Sequence, residues 1–117
     1  MARAAGRALF FEKEWTWPDA DYITVRTTTI DAEARERNLP RLDFIKMDIE
    51  GAERDALHGA EHALRTFKPK LAISIYHRVE DYAAIPRYLD GLGLGYTFYL
   101  SHQSHSDADV ILFATTR

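Results

Sequence analysis

Asp43-Phe44-Ile45-Lys46-Met47-Asp48-Ile49-Glu50-Gly51-Ala52-Glu53 is the stretch on which the reading of this chain turns. Its apolar part, with Leu42 in front, has the length and composition of a short buried strand, predicted over residues 42–47. Acidic side chains crowd the end of that strand, a glycine follows, and the pattern passes at once into a helix. In open α/β sheets ligands bind outside the carboxyl ends of the strands. Asp48 and Glu50 therefore stand where a site is expected.

Working outward toward the C-terminus, the spacing of Ala56, Leu57, Ala60, Ala63, Leu64 and Phe67 predicts one helix over residues 52–67. Glu50 and Glu53 lie at its positive end, as the helix dipole favours, and Lys68-Pro69 stops it. Residues 70–76 read as a second buried strand. Asp81 is a candidate cap for a second helix that buries Tyr82, Ile85, Tyr88, Leu89 and Leu92 on one face. Pro86 falls in its early turns, where proline costs least, and Gly91, Gly93 and Gly95 mark its end. Two last strands, 96–101 and 108–114, are joined by the polar turn 102–107 and should pair antiparallel.

Toward the N-terminus, residues 22–28 alternate well enough for a strand. Asp31 is a suitable N-cap for a short helix over residues 32–38, which Asn38-Leu39-Pro40 ends. Residues 8–11 read as a short strand. Trp15-Thr16-Trp17-Pro18-Asp19 reads as a loop whose aromatics line a cavity, meet a partner or serve the core as a lid. Residues 1–21 form an irregular segment ahead of a domain over 22–117. Strands alternating with helices imply an α/β fold with parallel pairing through right-handed crossovers, closed by an antiparallel hairpin.

The 117 residues suffice for one small domain with a real core. The net charge of −3 excludes the basic footprint of a nucleic-acid binder and a polybasic membrane-binding segment. Cysteine is absent, which excludes disulfides and thiolate metal sites and fits a cytoplasmic protein. No apolar run approaches the ~20 residues of a membrane helix, and residues 8–11 are too short for the core of an export signal.

Tyr76 and His77 end the second buried strand, the neighbour of the strand that ends at Asp48. Adjacent strands lie about 5 Å apart, so Asp48, Glu50 and His77 can converge. Such a group can orient a hydroxyl, accept its proton or hold a divalent cation. The plainer reading makes Asp48 and Glu50 helix caps and His77 the start of a loop. His58-Gly59-Ala60-Glu61-His62 matches a zinc-peptidase pattern, but a helical wheel turns both histidines to the solvent side. His102, His105, Asp107 and Asp109 fall in a turn where polar residues are expected anyway. Arg35-Glu36-Arg37 fits a solvated helix face.

Lys46-Met47-Asp48-Ile49-Glu50-Gly51-Ala52-Glu53 resembles the most diagnostic block of the FkbM-type methyltransferases. Thr28-Thr29-Ile30-Asp31 before it agrees with the same pattern. So do Leu57-His58-Gly59-Ala60, Lys68-Pro69 and Ile73-Ser74-Ile75-Tyr76-His77 after it. The likeness runs roughly over residues 22–115. It implies the C-terminal half of a Rossmann-like methyltransferase sheet, dependent on S-adenosylmethionine and methylating an oxygen of a small molecule or sugar. Asp48 and Glu50 match the family's acidic strand end, close to the cofactor, and Asp48 and His77 are the implied catalytic pair. Glu53 matches as a helix-start residue. No metal is implied.

The family's glycine-rich turn after its first strand and the acidic ribose contact have no counterpart here. The expectation is therefore a truncated or split form. It would need a missing N-terminal half or self-association, since the strand over 42–47 would otherwise present an unpaired edge. The alternative is a non-catalytic remnant that pairs through that edge.

Overall fold

The computed structural model describes residues 26–106 and 108–116 in full, and the backbone alone of residues 2–5 and 8–11. Strands β1 (Ala2–Ala5) and β2 (Ala8–Phe11) pair antiparallel, with Ala2 opposite Phe11 and Ala5 opposite Ala8. β2 is the strand expected at residues 8–11; its partner β1 was not anticipated. The tryptophan loop at Trp15 and Trp17, residues 22–25 and Asp107 lie outside the described residues.

Residues 26–29 are not a strand, so the expected strand over 22–28 fails across its last three residues. No strand among the described residues lies beside them, and an extended segment without a ladder is no strand. The Thr29 hydroxyl serves the next helix instead. Helix α1 (Ile30–Glu36) is capped by Thr29, whose Oγ1 accepts from the Ala32 amide at 2.9 Å.

Asp31 does not cap α1, contrary to expectation. Its backbone N–H donates to Gly59 O at 2.9 Å. Its carboxylate accepts from the amides of His62 (3.0 Å) and Ala63 (2.8 Å). The single helix expected over 52–67 is consequently two, α2 (Glu53–His58) and α3 (Glu61–Phe67). The interruption at Gly59-Ala60 exposes amide donors at the start of α3, and Asp31 satisfies them. Lys68, in the left-handed region with φ 46°, and Pro69 end α3 as the sequence indicates.

Helix α4 (Asp81–Gly91) buries Ile85 and Leu89, and Leu92 just beyond it, but Tyr82 is exposed rather than on the core face. Asp81 does not cap it either. It is the first helical residue, fully buried, with Oδ1 3.3 Å from Arg54 Nε.

The main sheet has the order β3-β4-β6-β5, from β3 (Phe44–Met47), β4 (Lys70–Ser74), β5 (Thr97–His102) and β6 (Val110–Thr115). β3 and β4 are parallel, and β6 runs antiparallel to both β4 and β5. The fold is thus α/β with a terminal antiparallel hairpin, as read from the sequence. The hairpin's second strand is also the inner neighbour of β4.

Register sorts the two faces. Ile45, Leu71 and Ala114 form one row and Met47, Ile73 and Leu112 another, both against Leu57, Leu64, Ile85 and Leu89 of the helices. On the opposite face Phe44, Tyr99 and Phe113 stay exposed. Tyr96 OH donates to Pro69 O at 2.7 Å, tying the start of β5 to the turn before β4. Burial pushes that phenol up to about 12. No helix among the described residues is long and apolar enough to cross a membrane.

Candidate functional site

The carboxyl ends of β3 and β4 lie side by side because the two strands are parallel and in register from Phe44 opposite Lys70 to Met47 opposite Ile73. Beyond Met47 the chain turns through Asp48-Ile49-Glu50-Gly51 into α2. The turn is tight. Glu50 has φ 57° and Gly51 φ 95°, both in the left-handed region. A Cβ on Gly51 would stand 3.1 Å from Arg78 Nε and 3.7 Å from the His77 Cβ. A side chain at that φ would be strained and would have to displace Arg78, so glycine suits the position.

This turn brings Asp48 and Glu50 to His77. His77 Nε2 lies 3.4 Å from Asp48 Oδ1 and 3.5 Å from Glu50 Oε1. The His77 side chain is about nine-tenths buried, whereas Asp48 is half exposed and Glu50 almost fully exposed. All three residues singled out at the strand ends thus meet at one point.

A fourth member was not read as part of this group. Glu53, the first residue of α2, is fully buried. Its Oε1 accepts from the Ile49 amide at 2.9 Å and lies 3.1 Å from His77 Nδ1. The contact to Nδ1 is close but off the line of a hydrogen bond, and Glu53 Oε2 has no hydrogen-bond partner. The sequence shows Glu53 only as an acidic residue at a helix start; its burial against His77 depends on the approach of β4.

The field at the strand ends is negative. The Tyr76 phenol, whose ring stacks on His77 at 4.2 Å between centroids, is pushed above its ordinary value. Burial is the first cause, followed by the charges of Asp48, Asp109, Glu50 and Glu53. A cation is the natural ligand of such a site.

The other histidine motifs do not assemble. His58 ends α2 and His62 belongs to α3, so the break removes their helical spacing. The His58 ring lies against Tyr88 at 4.2 Å, and His62 Nε2 is 3.4 Å from Thr66 Oγ1. His102 Nε2 meets Ser106 O within its own loop. Among the described residues, Asp48, Glu50 and His77 are the one set of three ligand-type side chains in mutual reach. A groove of about 720 Å³ opens between Thr28 and Arg35 on one side and His58 and Arg65 on the other, and it shares no residue with the strand-end group.

The helix-backed α/β sheet with its inserted antiparallel strand is a partial match to a methyltransferase fold. The chain matches the methyltransferase FkbM domain over residues 5–98, and it belongs to that family. The match begins ahead of residue 22 and ends short of residue 115, the bounds over which the resemblance is expected. The chain is also similar to the crystal structure of methyltransferase FkbM from Methylobacillus flagellatus KT, with 44% identity and a TM-score of 0.58. That similarity covers 61% of this chain and 19% of the other, so the chain spans about a fifth of the solved protein's length. No curated protein matches the chain.

Proposed function

We propose that this chain supplies the acidic strand ends of an S-adenosylmethionine-dependent methyltransferase that acts on an oxygen of a small molecule or sugar. The observation that carries the reading is the meeting of Asp48, Glu50 and His77 at the carboxyl ends of two adjacent parallel strands. The cofactor supplies a methyl group activated by a sulfonium. Negative charge at Asp48 and Glu50 suits a cation of that kind, and the raised Tyr76 phenol supports the fit. Asp48 and His77 orient the acceptor hydroxyl and take its proton, so that the oxygen is a nucleophile when it faces the methyl group. Glu53 lies behind the His77 ring, 3.1 Å from its Nδ1.

Calorimetric titration of the 117-residue chain with S-adenosylmethionine and S-adenosylhomocysteine tests the reading. Saturable binding is expected where self-association or a complementing half replaces the missing turn, with the affinity for S-adenosylmethionine weakened at least about tenfold by Asp48→Asn, the loss of about 1.4 kcal/mol. A folded chain that takes up neither compound overturns a cofactor site made by this chain alone.

A second reading is favoured by the free edge of β3, which has β4 on one side and no strand on the other among the described residues. On that reading the chain pairs through β3 with a further strand, from another part of a methyltransferase domain or from a second copy of itself. A chain that sediments as a monomer at every concentration counts against the second copy.

A further inference from the structure

We propose that Asp48, Glu50 and His77 form a binding site for one divalent first-row cation. The His77 side chain is about nine-tenths buried, its Nδ1 has no hydrogen-bond partner among the described residues, and its Nε2 faces only the Asp48 and Glu50 carboxylates. A buried imidazole in that state is aimed at something. Nδ1 faces the Glu53 carboxylate at 3.1 Å. The contact is off the line of a hydrogen bond, but a proton on Nδ1 would face the carboxylate and leave the Nε2 lone pair facing outward. A carboxylate behind one ring nitrogen is the usual support of a metal-binding histidine, since it fixes the ring and raises its basicity.

The Nε2 lone pair then points at two carboxylate oxygens, 3.4 and 3.5 Å away. Three electron-rich atoms face one another with nothing between them. The separations exceed the ~2.7–3.2 Å of N–H···O hydrogen bonds. They are within half an ångström of the edge of an octahedron, about 3 Å for metal–ligand bonds of about 2.1 Å. All three ligand atoms lie within 4.8 Å of one another. Asp48 and Glu50 are the exposed members, free to close the remaining gap, while His77 is held by burial.

One imidazole and two carboxylates suit manganese, iron, cobalt or zinc better than an all-oxygen site for magnesium or calcium would. Three protein ligands on one side leave the outward positions open for water or for an oxygen of the acceptor. The ion's use in methyl transfer, with Asp48 and His77 acting on the acceptor oxygen through it, rests on the function proposed above. Its binding does not.

The test is titration of the 117-residue chain with Mn²⁺, following the spectrum of the free ion by electron paramagnetic resonance. The expected result is one ion per chain, lost in His77→Gln and weakened at least about tenfold in Glu50→Gln. Glu50 is almost fully exposed, so this second variant keeps its fold even if the first does not. His62→Gln, on α3, is the control and should bind as the parent does. Absence of uptake up to about 1 mM Mn²⁺, or uptake that Glu50→Gln leaves unchanged, overturns the site. S-adenosylhomocysteine titrated into the same sample reports separately on the proposed function. Manganese bound without it keeps the ion site and removes the cofactor site, and the converse removes the ion site.

Discussion

Glu53 and Asp81 are both fully buried carboxylates, and they meet the cost of burial in different ways. Glu53 takes the Ile49 amide and the His77 ring. Asp81 has the Arg54 guanidinium at 3.3 Å and no hydrogen bond to either oxygen. Burial pushes the Asp81 carboxyl above its ordinary value of 3.8, with Arg54 opposing and Glu53 adding to the rise. The folded chain therefore holds that proton more tightly than the unfolded chain does. The associated stability is fully present below 3.8 and is lost as pH rises through the raised value. Asp81→Asn stays neutral at every pH. Its urea midpoint, measured beside the parent, should gain on the parent as pH is raised through that window. A difference that stays constant with pH would remove Asp81 as the titrating group. At this scale the sequence disclosed Asp48, Glu50 and His77, because strand ends in this fold class are where polar residues gather. It hid the partnership of Glu53 with His77, because burial of a helix-start acid is decided by whichever strand arrives beside it.

Asp31 shows what one side chain does to an element far along the chain. The stripe from Ala56 to Phe67 continues in phase through Gly59 and Ala60, so its period alone predicts one helix. The break follows from a long-range contact, in which Asp31 engages Gly59 O and the amides of His62 and Ala63. Asp31→Ala should cost about 1 kcal/mol of unfolding free energy by urea titration, as loss of an N-cap does. Asp31→Asn should cost only a few tenths of that. Equal stability of Asp31→Ala and the parent would show that the ends of α3 are satisfied by water. Elements with local causes were legible: Lys68-Pro69 as a stop, the two apolar strands, the hairpin of β5 and β6. The segment at 26–28 was misread because alternation marks a strand only when another strand is there to pair with it.

In the whole molecule one face of the sheet is packed by helices, while the other leaves Phe44, Tyr99 and Phe113 exposed at 53%, 58% and 36%. Phe44 sits both on this face and on the free edge strand. Ile45, its neighbour, belongs to the core, so a charge there would test folding rather than association. Phe44→Lys should lower self-association in sedimentation runs while leaving the unfolding free energy within about 0.5 kcal/mol of the parent. Association that survives the charge unchanged would point away from β3. Sheet class and strand direction could be read from the alternation of strands and helices. Which edge is left free could be anticipated only through the family resemblance, since spacing does not say what lies beside a strand.

The place of β6 between β4 and β5 has a consequence in time. Among the described residues β5 bonds to β6 alone, and β6 follows it in the chain. Without residues 110–115 in place, β5 has no strand to pair with among the described residues and β4 lacks its second neighbour. A folding chain in which β6 has yet to dock would expose apolar strands with open ladders, the kind of species that chaperones bind. The sheet is complete only when residues 110–115 lie between β4 and β5.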